Sequence, residues 1–223
     1  MTRADAGIQR IEITELMPLV RRVAKLDQHG LIRLRAVGRL RSALALLPFG
    51  VLAGRAVTFD DRPDEGDADV VHSAADLAAW YDDPVAPEPP RQDLEWRSAL
   101  PPAGGWQRVE SVPDAVIRDL VRSGASTLKE TAERENLPGA EPRAEVADAL
   151  LGSVVLTVSN GPTSATVTLR LLSALTRMGF VARDTTVAVD VRGRWLRVAA
   201  AYGSVYAEQV GFGLGGLSPV GRR

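Results

Sequence analysis

A proline-rich stretch near the middle of the chain limits how its 223 residues can be organised. Six of the fourteen prolines lie between Pro84 and Pro102, where the sequence contains the runs PEPP and PP. Proline fixes φ and lacks a backbone N–H, so such a segment favours neither a helix interior nor an inner strand. We expect an extended strap or linker over residues 84–102. It would separate an N-terminal unit, residues 1–83, from a C-terminal unit, residues 103–223.

The sequence of the N-terminal unit predicts a helix followed by an antiparallel meander. Apolar residues recur at helical spacing over residues 15–26. Residues 31–47 then alternate with a period of two on both sides of a glycine, which predicts two strands and a turn. Residues 51–59 predict a third strand. Ser73 and Asp76 have the spacing of a capping box and predict a short second helix.

The C-terminal unit is predicted to be rich in helix and to end in a hairpin. Its expected elements, in order, are a helix opening at a Ser111–Asp114 capping box and interrupted at Gly124, a polar helix over 126–135, a short helix over 145–151, a strand over 154–159, a strand-like segment over 162–168, a helix over 169–178, and a hairpin of 185–191 with 195–201. Gly179 and Phe180 predict a Schellman ending for the helix over 169–178.

The predicted fold class is therefore α+β, with a helix-plus-meander unit, a strap and a helix-rich unit closed by a hairpin. The last helix and hairpin resemble, in element order, a winged helix, in which a helix enters the major groove and the wing touches phosphates. The resemblance implies DNA contacts for Arg170, Arg177, Arg192, Arg194 and Arg197. Two features depart from that family: the strand-like segment before the helix and the mostly apolar helix itself. Packing of this helix on a sheet is the competing interpretation.

Charge is segregated along the chain although the formal net charge is only −1. Residues 1–60 carry ten bases against five acids, and residues 61–99 carry eleven acids against three bases. Residues 100–150 stay acidic, with nine against six, and residues 151–223 are basic, with eight against three. This layout either steers the basic ends toward an anionic partner or lets the acidic middle neutralise them.

Four arginines of the first hairpin form the leading candidate site. With a turn at Gly38, positions of equal parity are expected to share one face, which would carry Arg33, Arg35, Arg39 and Arg41. These guanidinium groups would bind an anionic partner. The alternative is that acids from residues 60–69 pair with them, or that water solvates them.

Catalytic and cofactor motifs are missing or incomplete. The chain has no cysteine and no Walker A sequence, which excludes disulfides, thiolate metal sites and P-loop chemistry. The G-x-G-x-x-G match at residues 211–216 lacks the following helix and acid of a dinucleotide site. His29 and His72 have no local carboxylate or serine partner and are interpreted as solvated loop residues. We therefore expect no catalytic residue, no metal site and no cofactor.

The composition, with 45% hydrophobic and 25% charged residues, is that of an ordinary globular protein. All but two of the 27 basic residues are arginine. That composition and the run LTRMGFVARDTTVAVDVRGRWLRVAAAYGSVY resemble uncharacterised conserved proteins of actinobacterial type, a resemblance that implies no activity. We expect a cytoplasmic, non-enzymatic binding or adaptor protein that engages a protein partner with an acidic surface and no membrane. The alternative is a nucleic-acid-binding regulatory protein of winged-helix type, and an enzyme using carboxylates alone is the third interpretation.

Overall fold

The structure is a computed structural model, and it describes residues 13–37, 39–58, 68–134 and 140–209. The helices are α1 (Met17–Leu26), preceded by a 3₁₀ turn (Thr14–Leu16), α2 (Ala74–Asp82), α3 (Asp114–Arg134), α4 (Ala140–Gly152) and α5 (Leu169–Arg177). The strands are β1 (Leu31–Val37), β2 (Leu40–Leu46), β3 (Leu52–Thr58), β4 (Ala68–Ser73), β5 (Gln107–Pro113), β6 (Val154–Asn160), β7 (Thr163–Thr168), β8 (Thr186–Arg192), β9 (Trp195–Ala200) and β10 (Gly203–Glu208).

One antiparallel sheet of eight strands runs through the molecule in the order β4-β1-β2-β3-β10-β9-β8-β5. Strands β6 and β7 form a separate hairpin. The two ends of the chain meet in the centre of the large sheet, where β3 pairs with β10 and Ala53 faces Val205. The N-terminal and C-terminal parts of the sequence therefore share one sheet.

The two halves of this sheet are arranged alike. In the first half α1 leads into the meander β1-β2-β3, and in the second half α5 leads into the meander β8-β9-β10. A further strand, β4 or β5, closes each outer end and runs directly into α2 or α3. The chain thus repeats a helix-and-meander plan whose two copies join at β3 and β10.

The helices cover one face of the sheet because their apolar stripes are buried against it. The core contains Leu19, Val20 and Val23 of α1 together with Leu172 and Leu175 of α5, all essentially inaccessible to solvent. Fully burying one side chain of this size contributes about 1.5–3 kcal/mol. The opposite face of the sheet, called the outer face below, carries the alternate residues of each strand.

Two short-range predictions are confirmed at helix ends. Ser73 caps α2, since the backbone N–H of Asp76 donates to its Oγ at 3.3 Å. Gly179 has a φ of +67°, and its N–H donates to the Thr176 carbonyl while that of Phe180 donates to the Leu175 carbonyl. These are the two hydrogen bonds of a Schellman motif.

The proline-rich segment lies on the sheet. The N–H of Gln92 donates to the carbonyl of edge strand residue Val71 at 2.7 Å, and Val71 N–H donates to Asp93 Oδ1 at 2.8 Å. Just beyond the C-terminal end of this segment, Trp106 packs against Tyr206 of β10, with ring centroids 5.8 Å apart. The strap thereby satisfies a free sheet edge that would otherwise invite pairing with another chain.

The predicted fold class is wrong in its architecture, although the mixture of helices and strands holds. The hairpin β8-β9 continues into β10, and the sheet joins both halves of the chain. Helix α5 is not a winged-helix recognition helix, because it buries Leu171, Leu172 and Leu175 in the core. It also follows the hairpin β6-β7 instead of a helix-turn-helix.

Two local expectations in the C-terminal part are also wrong. Ser111 lies within β5 and opens no helix, which begins only at Asp114. Gly124 does not interrupt α3, which is continuous through it. A Cβ at Gly124 would lie 2.4 Å from Leu169 Cδ2, so the glycine permits close helix packing instead.

Among the described residues, no helix is both long and apolar enough to cross a membrane.

Candidate binding surface of the helix layer

The two helices that lead into the meanders carry bases and no acids. Helix α1 has the sequence MPLVRRVAKL and α5 has the sequence LRLLSALTR. Their bases are Arg21, Arg22, Lys25, Arg170 and Arg177. All are exposed except Arg170, which is half-buried. The hydrophobic stripe of each helix faces the sheet, so its charged residues face solvent.

Arg22 joins the two helices. Its Nη1 donates to the carbonyl of Arg177 at 2.8 Å, where the last carbonyls of α5 lack helical partners. A cation is favourable at that position because the helix dipole places partial negative charge at the C-terminus. The close approach depends on Gly179, since a Cβ there would lie 2.5 Å from Arg22 Nη2.

Three cations of this layer have no acidic partner. Arg177 lies over the ring of Phe49 at 6.0 Å, and Arg22 is bound only to a backbone carbonyl. Lys25 lies one helical turn from both Arg21 and Arg22 on the same exposed side of α1. Within the described ranges, no carboxylate forms an ion pair with Arg22, Lys25 or Arg177. We call these three residues the α1–α5 basic cluster.

The two remaining bases of these helices are neutralised. Arg21 Nη2 lies 2.5 Å from Asp82 Oδ1 of α2. Arg170 donates to Asp148 Oδ1 of α4 at 2.8 Å and to the Phe49 carbonyl at 3.1 Å. Arg170, predicted as a DNA contact, therefore ties α5 to α4 and to the β2–β3 turn.

On the outer face, the acidic segment of the sequence meets the first hairpin. Asp69 of β4 accepts from Arg33 Nε at 2.7 Å and Nη2 at 2.8 Å, and lies 3.4 Å from Arg35 Nε. The Arg33 guanidinium also lies 5.7 Å from the ring of Trp96 in the strap. The hydrogen bond to Asp69 raises the pKa of Arg33 above its ordinary value. Residues 60–67, the rest of the expected neutralising loop, lie outside the described residues.

The expectation that four arginines share one face is wrong. Val37 pairs with Leu40, so directly opposed residues have opposite parity, and Ala36 pairs with Arg41. Opposed residues share a face, so Arg41 lies on the helix side of the sheet, where it is only 4% exposed. Arg39 is an exposed turn residue. Arg33 and Arg35 alone are brought together on the outer face.

A second charge network stands at the other end of the outer face. Asp190 of β8 is 1% exposed and accepts from Arg197 Nη2 at 2.7 Å and from Arg108 Nε at 2.5 Å. The Arg197 guanidinium lies 4.6 Å from the ring of Trp106. Burial raises the pKa of the neighbouring Tyr206 phenol above its ordinary value.

The arginines at the hairpin tip are also held within the molecule. Arg194 lies 3.3 Å from Glu208 of β10. The Arg192 guanidinium lies against the backbone at Gly105, just after the strap, since a Cβ at Gly105 would be 2.8 Å from its Nη1. Of the nine arginines predicted from the sequence, Arg177 is the one that belongs to the α1–α5 basic cluster.

The histidines differ from expectation. His72 is 2% exposed and its Nδ1 lies 3.2 Å from the Pro90 carbonyl, so the interpretation as a solvated loop residue is wrong for it. His29 is exposed, as expected, with its Nε2 3.2 Å from Gln28 Nε2. The described part of the chain contains no group of three or more His, Cys, Asp or Glu residues placed to hold a metal ion. The G-x-G-x-x-G match lies outside the described residues.

Sequence reasoning missed Arg22 and Lys25. They lie in the predicted helix over 15–26, whereas the four arginines of the first hairpin stand close together in sequence and form the more conspicuous pattern. The missed signal was the absence of any acid from α1 and α5. Without acids at i±3 or i±4, a helix cannot neutralise its own cations.

The fold is similar to that of DNA polymerase sliding clamps. The Bacillus subtilis clamp gives a TM-score of 0.56 at 12% identity over 92% of this chain and 64% of its own. The Pseudomonas aeruginosa clamp with ligand gives 0.53 at 12% identity, over 91% and 63%. The β subunit from the DNA polymerase of Streptococcus pyogenes gives 0.54 at 9% identity, over 90% and 63%. The chain thus spans 63–64% of the length of these clamp chains.

No curated protein matches the sequence significantly. Two domains of unknown function match it in succession and divide it close to the end of the strap. No characterised family is recognised: residues 9–98 match the domain of unknown function DUF8010, and residues 101–211 match the domain of unknown function DUF8185.

Proposed function

We propose that this chain is a cytoplasmic, non-enzymatic binding or adaptor protein that engages an acidic partner surface through the α1–α5 basic cluster. One observation carries the proposal: Arg22, Lys25 and Arg177 are exposed and have no carboxylate partner in the described ranges. The arginines of the outer face are neutralised by Asp69 and Asp190. Cations without internal partners set the potential that an approaching partner meets.

The balance of charge favours a protein partner. The sequence pI is about 6.2 and the net charge is −1, whereas nucleic-acid-binding domains are typically basic overall. Three cations make a small footprint beside the roughly 6–10 phosphate contacts that give strong salt dependence on DNA. An acidic protein surface needs no more than a few such charges to fix the register of a complex.

A nucleic-acid-associated role is the second candidate. The observation that favours it is the fold, which is similar to that of proteins described as DNA polymerase sliding clamps. In this case the same helix layer would contact phosphates, and affinity would fall steeply with salt.

The test is a pull-down from native lysate with and without nuclease, using the variant Arg22→Gln/Lys25→Gln/Arg177→Gln. We expect a protein partner whose recovery resists nuclease and is lost in this variant. The matched control is Arg33→Gln/Arg35→Gln, which removes charges from the outer face and should leave recovery unchanged.

Two results would change the proposal. Recovery that is sensitive to nuclease, with a slope of log K against log salt lowered by roughly 0.9 for each lost cation, would establish the nucleic-acid candidate. Loss of binding in the Arg33→Gln/Arg35→Gln control alone would move the site to the outer face, as first predicted from the sequence.

We also propose that residues 84–102 form the boundary between the two units of the chain. Val85 and Leu94 in this segment are 90% and 88% exposed, and they offer accessible cleavage sites. Limited proteolysis should cut within residues 84–102 or within residues 60–69. Protection of both segments would show that the chain unfolds as one body.

A further inference from the structure

A groove lies between α3, α4 and α5 on the helix side of the molecule, with a volume of about 360 Å³. Its walls are apolar and include Leu128 of α3 and Leu150 and Leu151 of α4, each half-buried. Leu169 and Arg177, the first and last residues of α5, also line it. Half-buried leucines around an open groove are incompletely covered, and concave apolar surfaces with a few polar groups are typical of binding sites.

The packing of the three helices fixes the shape of the groove. The backbone of α3 lies directly on Leu169, because Gly124 has no Cβ to keep them apart. The ion pair between Arg170 and Asp148 ties α4 to α5 beside the groove. Leu169 and Arg177 are eight residues apart on α5, which is about 12 Å or two helical turns. The groove therefore suits a short segment with side chains at helical spacing.

The charge at the end of the groove is positive and unpaired. Arg177 has no carboxylate partner among the described residues, and Arg22 lies next to it on the Arg177 carbonyl. Asp148, the acid nearest in sequence to the groove-lining Ala147, is already bound to Arg170. A bound segment with a carboxylate at this end would pair with the positive charges of Arg177 and Arg22.

We infer that this groove binds an acidic amphipathic segment of another protein, with apolar side chains between α3, α4 and α5 and a carboxylate at Arg177 and Arg22. The inference rests on the proposed function, since it gives the acidic partner a defined mode of binding: an amphipathic segment lays its apolar face in a groove while its charges set the orientation.

Segments of this chain fit the groove less well. Residues 60–67, with the sequence DDRPDEGD, supply acids but no large apolar side chain. Residues 210–223 supply apolar side chains but no acid, and they include Arg222 and Arg223. Each lacks one of the two properties that the groove and its charged end require together.

The test uses the full chain and a labelled peptide of about twelve residues, or roughly 18 Å of helix, with Leu at helical spacing and Glu on the flanking positions. A second peptide carries Lys in place of Glu. Fluorescence anisotropy should show binding of the Glu peptide only. Arg177→Gln should remove the preference between the two, while Arg122→Gln, on the exposed side of α3 and paired with Asp119, should not.

Ala125→Trp tests the groove itself, because Ala125 lines it and is exposed, so that the larger side chain fills the groove without entering the core. We expect affinity for the Glu peptide to fall by about tenfold or more. The matched control, Ser126→Trp, places the same side chain at the next exposed position outside the lining and should bind normally. Melting curves confirm folding, and Leu150→Gln is the substitute if Ala125→Trp unfolds.

Each of the following outcomes would overturn the inference. Unchanged binding by Ala125→Trp, or equal binding of both peptides, would show that the groove is not the site. A wild-type dimer in sedimentation that Ala125→Trp converts to monomer would assign the groove to a second copy. The acids of residues 60–67 can also be changed to Ser. If the affinity for the peptide then rises, that segment of the chain is the occupant of the groove. A partner lost from Arg22→Gln/Lys25→Gln/Arg177→Gln but kept by Ala125→Trp would overturn the groove and leave the proposed function standing.

Discussion

The outer face and the helix layer of this protein both carry arginines, but they differ at two positions of the helix layer, where Arg22 and Arg177 have no carboxylate partner among the described residues. On the outer face each buried or half-buried arginine has an aspartate on a neighbouring strand, as Arg33 has Asp69 and Arg197 has Asp190. Trp96 lies over the guanidinium group of Arg33, and Trp106 lies over that of Arg197. In the helix layer the contacts of Arg22 and Arg177 with described residues are a backbone carbonyl and a phenyl ring, respectively.

The comparison shows that clustering of bases in a sequence does not by itself mark a binding surface. Arginines of the outer face form ion pairs within the molecule, because strand pairing places acids of β4 and β8 beside them. Of the bases of α1 and α5, Arg21 and Arg170 pair with Asp82 and Asp148, whereas Arg22, Lys25 and Arg177 have no carboxylate partner among the described residues.

Asp190→Asn should cause the largest loss of stability, about 3 kcal/mol by urea denaturation. The substitution leaves two guanidinium groups, Arg108 and Arg197, without their shared carboxylate at a site where Asp190 is buried. A loss below about 0.5 kcal/mol would show that this network is solvated like an ordinary surface pair, and the contrast between the two faces would fail.

Arg33→Gln/Arg35→Gln should lower the free energy of unfolding by about 1 kcal/mol, since these pairs with Asp69 are partly exposed. Asp69→Asn should cost a similar amount, and the triple variant should cost no more than either. Arg39→Gln, at an exposed turn, should stay within about 0.5 kcal/mol of wild type. Additive losses in the triple variant would show that Asp69 and the arginines act independently.

Asp114→Asn should produce the smallest change, and one that depends on pH. The hydrogen bond from Arg118 holds the pKa of Asp114 below its ordinary value. Stability from such a group is fully present above the unfolded pKa of about 3.9 and is lost as pH falls through the folded pKa. The melting temperatures of wild type and variant should therefore differ at pH 7 and converge below about pH 4. A constant difference from pH 7 to pH 3 would contradict this role.

The elements best predicted from sequence are those whose signals lie within one or two turns of chain. The helix over 15–26, the Ser73 cap and the Schellman ending at Gly179 depend on neighbours at most five residues apart. Strands β4, β5 and β10 were missed. Strand β10 owes its position to partners in β3 about 150 residues away, as in the pairing of Ser204 with Gly54.

The candidate site was predicted in part. Arg177 was named from the sequence, but for a winged helix that the structure contradicts. Arg22 could not be paired with it in advance, because its contact to the Arg177 carbonyl joins residues that are 155 positions apart. The assignment of Arg41 to the outer face failed for a smaller reason: a shift of one residue in the turn exchanges the two faces of a strand.

By itself, the sequence determined the local chemistry of this protein: apolar periodicity that makes helices amphipathic, caps that start and end them, and a chain without cysteine thiols. Only the tertiary structure decided which cations remain free. An ion pair forms between groups within about 4 Å. The sheet brings Asp69 to Arg33 and Asp190 to Arg108, whereas no carboxylate of the described residues pairs with Arg22, Lys25 or Arg177. Such distances follow from strand pairing across the whole chain, which no local pattern encodes.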